Sequence, residues 1–304
     1  MLRTVMLSLA HNGQLAQAAS RISLTKNLAL RFVAGETLDE AVATARSLNA
    51  RGLKVTLDAL GENITSEAGA AAAAGNYRTM IDRIVKAGID SSVSLKLTML
   101  GLDIDPELCR QHMVTILDRA RETGIFVRID MEGSAYTQQT LDLFYDLHQT
   151  YGDTVGIVLQ SYLYRTDRDV RQAIEQEARV RLVKGAYAEP VTVAYPSKRE
   201  VDAAYRRQME MLLDAGRYPA IATHDETIIE VAKHYTARMG IGPECFEFQM
   251  LYGIRRDLQD RLAREGFNVR IYVPFGASWY PYFMRRMAER PANLLFVLRN
   301  LARE

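Results

Sequence analysis

Short runs rich in apolar and β-branched residues recur along this chain. Longer segments separate them, with apolar positions returning every three or four residues. The runs are KVTLDAL (54–60), SVSLKLT (92–98), IFVRIDM (125–131), VGIVLQ (155–160), RVRLVK (179–184), PAIATH (219–224), CFEFQM (245–250) and VRIYVP (269–274). The first kind of pattern predicts strands and the second amphipathic helices. Gly88, Gly124, Gly152 and Gly266 each precede a run, where a helix C-cap falls. Alternating strands and helices imply parallel strands with helical crossovers. Eight such units in about 250 residues match an α/β fold of the (βα)8, TIM-like barrel kind. The runner-up, an open doubly wound sheet, usually carries a glycine-rich nucleotide turn, and the chain has neither GxGxxG nor GxxxxGK[ST]. Residues 1–50 read as an N-terminal helical cap and 54–304 as the barrel. With no Pro-, Gly- or Ser-rich linker, residues 1–304 are expected to form one domain.

Composition changes this picture little. The 304 residues carry 38 basic and 37 acidic side chains, a net charge of +1, which gives no reason to expect a nucleic-acid partner. Cys109 and Cys245 lie far apart in apolar surroundings, so two buried thiols in a reducing compartment are expected. The N-terminal MLRTVMLSLAHNGQ is broken by Ser8 and His11, and no run approaches the roughly 20 apolar residues of a membrane span. The reading is a cytoplasmic protein, with peripheral contact at the inner face of the membrane left open and no oligomeric state implied.

Barrel active sites lie at the C-terminal strand ends. There the runs carry Asp58, Lys96, Asp130, Gln160, Arg181, Lys184, Thr223, His224, Glu247, Gln249 and Tyr272, with Glu62 just past the first strand. Polar groups inside a barrel are costly unless paired or solvated. Their convergence therefore points to a site, although any single one can be structural, and Glu247, between Phe246 and Phe248, can face either way. His112 and His148 fall in helical segments and read as solvated surface. With no HxH, HExxH or CxxC, a metal is not expected. No GxSxG occurs. Lys184 at a strand end keeps a Schiff-base aldolase open.

After the last strand, Gly276 turns the chain and a helix is predicted from near Pro281. Helical spacing groups Tyr282, Arg285, Arg286 and Glu289 on adjoining faces. Two arginines beside tyrosines suit a small anion. For the helix taken alone, an ordinary solvated Arg–Arg–Glu face is the commoner arrangement and the better fit.

Taken in order, DALGE (58–62), LKLT with Lys96, RIDME with Asp130, VLQSYL with Gln160, RLVKGAY (181–187), ATH (222–224), FEFQMLYG (246–253) and YFMRR (282–286) resemble the successive motifs of proline dehydrogenases, in their monofunctional bacterial form. The resemblance implies a barrel whose last helix lies over the mouth. It also implies bound FAD, oxidation of L-proline to Δ1-pyrroline-5-carboxylate, and a quinone as electron acceptor. By that resemblance Arg285, Arg286 and Lys96 hold the substrate carboxylate, and Tyr272 and Tyr282 pack on its ring. Arg181 stands by the flavin N5 and Gln160 by the ring edge. Lys184, Gly185, Ala186, Thr223 and His224 contact the cofactor, and Met131 binds it through its backbone. Tyr187 lines the pocket, and Glu62 pairs with Arg285. Asp130 either handles the substrate amine proton or orients Lys96. The family often has Cys and His where this chain has Met250 and Tyr252, and Asn where it has Asp225. Hydroxyproline-oxidising relatives tend to lack a tyrosine at the position of Tyr272, which favours proline. The readings in competition are the aldolase and a non-catalytic barrel that binds a small carboxylate.

Overall fold

The computed structural model describes residues 30–61 and 64–289, and side chains as far as Met284. The eight runs form strands β1 (Lys54–Ala59), β2 (Ser91–Leu95), β3 (Val127–Ile129), β4 (Val155–Gln160), β5 (Arg179–Val183), β6 (Ala220–Ala222), β7 (Glu247–Leu251) and β8 (Val269–Phe275). They pair in chain order, all parallel, and β8 closes on β1. Helices α1 (Leu38–Asn49), α2 (Glu67–Ala87), α3 (Pro106–Thr123), α4 (Thr137–Tyr151), α5 (Thr166–Glu175), α6 (Lys198–Ala215), α7 (Glu226–Met239), α8 (Arg256–Arg264) and α9 (Trp279–Glu289) complete the described elements. Residues 1–29 of the expected cap lie outside the described residues, as does Glu62.

Local chemistry explains the helix ends. Thr37 and Glu40 form a capping box at the start of α1, and Ser66 accepts from the Gly69 N–H ahead of the alanine run of α2. Gly88 and Gly124 close α2 and α3 in the left-handed conformation. Along the strands, Val55, Leu57, Val93 and Leu95 are buried, and each contributes about 1.5–3 kcal/mol by leaving water. The alternate positions Thr56, Asp58, Ser92 and Ser94 are buried polar groups of the barrel interior.

Several strands are shorter than their apolar runs. β2 ends at Leu95, and Lys96 leads into a 3-10 turn, Leu97–Leu100. β6 ends at Ala222, so Thr223 and His224 stand beyond it. These residues open the loops at the rim, Thr223 while still donating its N–H to the Gln249 carbonyl of β7 (3.2 Å). The helix after β8 starts at Trp279, earlier than Pro281.

The outer groove between β8 and β1, where the helix after β8 would normally pack, is filled by α1. The segment leading into α1 is bonded to the C-terminal end of β8, through Ala34 N–H to the Pro274 carbonyl (2.8 Å) and Gly276 N–H to the Gly35 carbonyl (3.0 Å). Helix α9 packs on that segment: Trp279 Nε1 donates to Glu36 (3.2 Å), and the Phe283 ring lies tilted against Phe32, centroids 6.3 Å apart. The last helix therefore lies at the barrel mouth.

Three expectations need correction. Glu247, the first residue of β7, faces inward and is 2% exposed. It pairs with Arg270 at 2.9 Å near the start of β8, well below the rim. Cys109 is buried but Cys245 is exposed, because it sits on a 3-10 turn (Pro243–Cys245) ahead of β7. His112 and His148 are not solvated surface. His112 Nδ1 meets the Leu100 carbonyl at 2.9 Å, and His148 bridges the carbonyls of Gly152 and Gln176.

The lower barrel holds several guanidinium groups. Arg128 donates to the Ile157 carbonyl at 3.0 Å and also to that of Arg179. A Cβ at Gly156 would lie 2.7 Å from the Arg128 Nη1, so glycine makes room for this group. Burial, then the charges of Arg181 and Arg179, pull Arg128 well below the ordinary arginine range.

Candidate active site at the barrel mouth

Strand alternation delivers Ser94, Asp130, Arg181 and Tyr272 to one point inside the barrel, near its C-terminal end. Asp130 follows β3 directly and is held by its N–H to the Leu95 carbonyl (2.8 Å). Its Oδ1 accepts from Arg181 Nη1 at 2.7 Å and from Ser94 Oγ at 3.0 Å, and its Oδ2 accepts from the Tyr272 hydroxyl at 2.9 Å. Arg181 Nη2 also donates to Ser94 Oγ at 3.1 Å, and the guanidinium carbon stands 5.3 Å from the centre of the Tyr272 ring. Burial first, then Asp130 and Asp58, push the Tyr272 hydroxyl far above its usual range. It is therefore a fixed donor at any ordinary pH.

Lys96 lies above this cluster. Its Nζ is 3.7 Å from Asp58 Oδ1, an atom that is buried and has no hydrogen-bond partner. Burial raises the Asp58 carboxyl, and Lys96 offsets only part of that. Burial works against the Lys96 charge, but Asp58, then Asp130, Tyr187 and Glu132 outweigh it, so the amine is held above its ordinary value. Lys96 thus stays cationic, with 23% of its side chain exposed. The salt bridge to Lys96 comes from Asp58, while Asp130, with both oxygens engaged by Arg181, Ser94 and Tyr272, adds a longer-range attraction.

A second group forms at the ends of β4, β5 and β6. Gln160 reaches the Met131 carbonyl with Nε2 (3.5 Å), while its Oε1 and the neighbouring Ser161 Oγ are buried without a partner. Lys184 Nζ is held between Asp202 (2.6 Å) and Asp225 (3.0 Å). Gly185 has φ +113°, and a Cβ there would meet the Tyr162 ring at 2.4 Å. Ala186 and the half-exposed Tyr187 continue the loop. Thr223 Oγ1 accepts from the Asp225 N–H at 3.1 Å. His224 Nε2 accepts from the Leu251 N–H at 2.9 Å, so a neutral ring carries its proton on Nδ1. Tyr282 is buried on α9. The helix continues through Arg285 and Arg286, whose side chains lie outside the described residues. Among the described residues no cluster of His, Cys, Asp or Glu could hold a metal ion, and no helix is long and apolar enough to cross a membrane.

Lys96, Asp130, Arg181 and Tyr272 therefore converge, and Met131, Gln160, Gly185, Thr223 and His224 line the same end of the barrel. The sequence reading gave no role to Ser94, nor to Asp58 as partner of Lys96. Strand period held the clue, since positions 94 and 96 share a face, as do 56 and 58.

The family profile described as proline dehydrogenase matches residues 41–299. The chain belongs to the proline dehydrogenase family. Proline dehydrogenase 1 of Bacillus subtilis subsp. natto is 43% identical over 304 residues, 100% of both chains. The proline dehydrogenase of Deinococcus radiodurans is 43% identical over 303 residues, 98% of this chain and 97% of its own. Among solved structures, proline utilization A from Bdellovibrio bacteriovorus, inactivated by N-propargylglycine, superposes with a TM-score of 0.83 at 25% identity. The match covers 94% of this chain and 36% of that longer one, so the chain spans about a third of the length of that structure. In proline dehydrogenase terms, RLVKGAY lies on β5 and its exit loop, and YFMRR on α9.

Proposed function

We propose that this proline dehydrogenase family member oxidises L-proline to Δ1-pyrroline-5-carboxylate with bound FAD and passes the electrons to a quinone. The observation that carries the reading is the mouth itself. A cationic Lys96, a hydroxyl-donating Tyr272 and a guanidinium at Arg181 meet around Asp130. Beside them is a rim with unfilled hydrogen-bonding capacity.

That rim suits FAD. The buried Gln160 Oε1 and Ser161 Oγ want donors or acceptors that the protein does not supply. Gly185 lets the loop after β5 pack directly on the Tyr162 ring. Lys184, Gly185, Ala186, Thr223, His224, Gln160 and the Met131 backbone would hold the cofactor, with Arg181 next to its reacting edge. When bound, FAD supplies the acceptor for the hydride that leaves proline C5 for flavin N5.

The chain's own contribution is placement and charge. Lys96, with Arg285 and Arg286, fixes the substrate carboxylate and so sets where C5 lies. Tyr272 and Tyr282 pack on the ring, and Tyr187 lines the entrance. Arg181 supplies fixed positive charge where negative charge develops. Both oxygens of Asp130 are already engaged, Oδ1 by Arg181 and Ser94 and Oδ2 by Tyr272. That favours a positioning role over carrying the amine proton. We take the barrel as one catalytic unit with its N-terminal cap, working in the cytoplasm with peripheral contact at the inner face of the membrane, where a lipid-soluble quinone is found.

Against the aldolase, Lys184 Nζ is clasped by two carboxylates, a poor setting for a neutral nucleophilic amine. Anaerobic addition of proline to the purified protein should bleach a flavin absorption band. A colourless protein that FAD cannot reconstitute would refute the proposal, and borohydride trapping of substrate on Lys184 would favour the aldolase.

A further inference from the structure

Gln249 faces into the barrel from β7, 4% exposed, with an ionised group on each side. On the lower side its Nε2 donates to Glu247 Oε1. On the upper side its Oε1 accepts from Arg181 Nε. Glu247 is in turn held by Arg270 Nε at 2.9 and 3.1 Å and by the Tyr218 hydroxyl at 3.4 Å. Burial would raise the Glu247 carboxyl, but the charge and hydrogen bonds of Arg270 outweigh it and keep the group below its ordinary value. An ionised carboxylate only accepts hydrogen bonds, and a guanidinium only donates them. The Gln249 amide therefore has one satisfactory orientation, with nitrogen toward Glu247 and oxygen toward Arg181.

The contacts on Arg181 use three different nitrogens: Nε on Gln249, Nη1 on Asp130 and Nη2 on Ser94. Three partners, on β2, on β7 and just past β3, define the plane of the guanidinium. Asp130 and Ser94 constrain only its outer end. Gln249 is the contact at Nε, where rotation about the last side-chain bonds is decided. A neutral amide does this without adding a second full negative charge beside Asp130, so the positive charge of Arg181 is kept.

We propose that Gln249 is a positioning residue that aims Arg181 at the reacting end of the cofactor, oriented in turn by the Glu247–Arg270 pair. The idea rests on the reading that Arg181 works beside the flavin. In this role Gln249 acts through the guanidinium it holds.

The test is a double-mutant cycle on FAD-loaded enzyme with Gln249→Leu, Arg181→Met and the double variant. The readouts are kcat, proline KM, and the visible spectrum and midpoint potential of the bound flavin. Gln249→Leu should lower kcat about tenfold, as expected for losing one hydrogen bond to a charged group. Proline KM should stay near its wild-type value while the flavin spectrum and potential shift. In the Arg181→Met background, Gln249→Leu should add almost nothing to any of these. A purely structural role would lower thermal stability in both backgrounds and leave the flavin potential unmoved, which overturns the proposal. Additive losses in kcat overturn it too. If Arg181→Met itself leaves kcat and the flavin spectrum unchanged, the placement of Arg181 beside the flavin is what fails, and the role of Gln249 falls with it.

Discussion

Replacing Gly185 by alanine tests the construction of the rim. The residue has φ +113°, a conformation that side chains with a Cβ rarely adopt. An added methyl would also lie 2.4–2.5 Å from three atoms of the Tyr162 ring. Backbone strain of this kind costs about 1–3 kcal/mol. Overpacking against a ring that cannot retreat costs about 1–3 kcal/mol more. Tyr162 is confined, being buried and bonded from its N–H to the Lys184 carbonyl at 2.9 Å. The sum, about 2–6 kcal/mol, should appear as a lower urea midpoint at unchanged slope. Because Gly185 lies in the loop assigned to the cofactor, FAD should also bind more weakly. The two contributions can be separated. In a Tyr162→Ala background the ring is gone, and Gly185→Ala should cost only the backbone part, about 1–3 kcal/mol. A loss below about 0.5 kcal/mol, the scatter of neutral surface changes, would refute both halves. An equal cost in the two backgrounds would refute the steric half alone.

Other predictions concern the pocket and the barrel floor. Arg286→Met should raise proline KM or abolish turnover while FAD stays bound, a loss of about 2–5 kcal/mol in transition-state binding; near-normal proline kinetics would remove Arg286 from the clamp. Tyr272→Phe keeps the ring but deletes the donor to Asp130, so catalysis should weaken by about 1.5–3 kcal/mol with the proline-to-hydroxyproline ratio unchanged. Tyr272→Ser should narrow that ratio as well, and an unchanged ratio would count against ring packing. Glu247→Gln removes the buried counter-charge of Arg270, leaving only the exposed Asp90 at 3.9 Å, and should cost about 3–5 kcal/mol at neutral pH. The folded Glu247 sits below its ordinary 4.5, so this advantage of the wild type is complete above that value. It is lost as pH falls through the lower folded value. Melting temperatures of the two proteins that ran parallel below pH 4.5 would contradict the assignment.

Patterns local in the chain were readable from the residues. The eight strand runs and the capping glycines depend on neighbours within a few positions, and they appear where expected to within a few residues. The order of motifs, local in the same sense, was enough to mark the family. The rule that barrel sites lie at the C-terminal strand ends also pointed to Asp130, Arg181 and Tyr272 as groups converging on one rim. What the run lengths could not show was how far each strand extends, because the contacts that turn a rim residue into a loop come from segments distant in sequence.

Pairing was decided by tertiary structure. Lys96 and Asp58 meet because β1 and β2 are adjacent, with Asp58 and Ser94 in register. Arg181 reaches Gln249, 68 positions away, because closing the sheet turns side chains from β5 and β7 toward a common axis. The orientation of Glu247 follows from Arg270 lying beside it on β8, and the exposure of Cys245 follows from a turn that the apolar run concealed. Sequence chemistry supplied the kinds of group present and the face of each strand that bears them. Only barrel closure, a long-range event that buries these charges together, determined which group neutralises which.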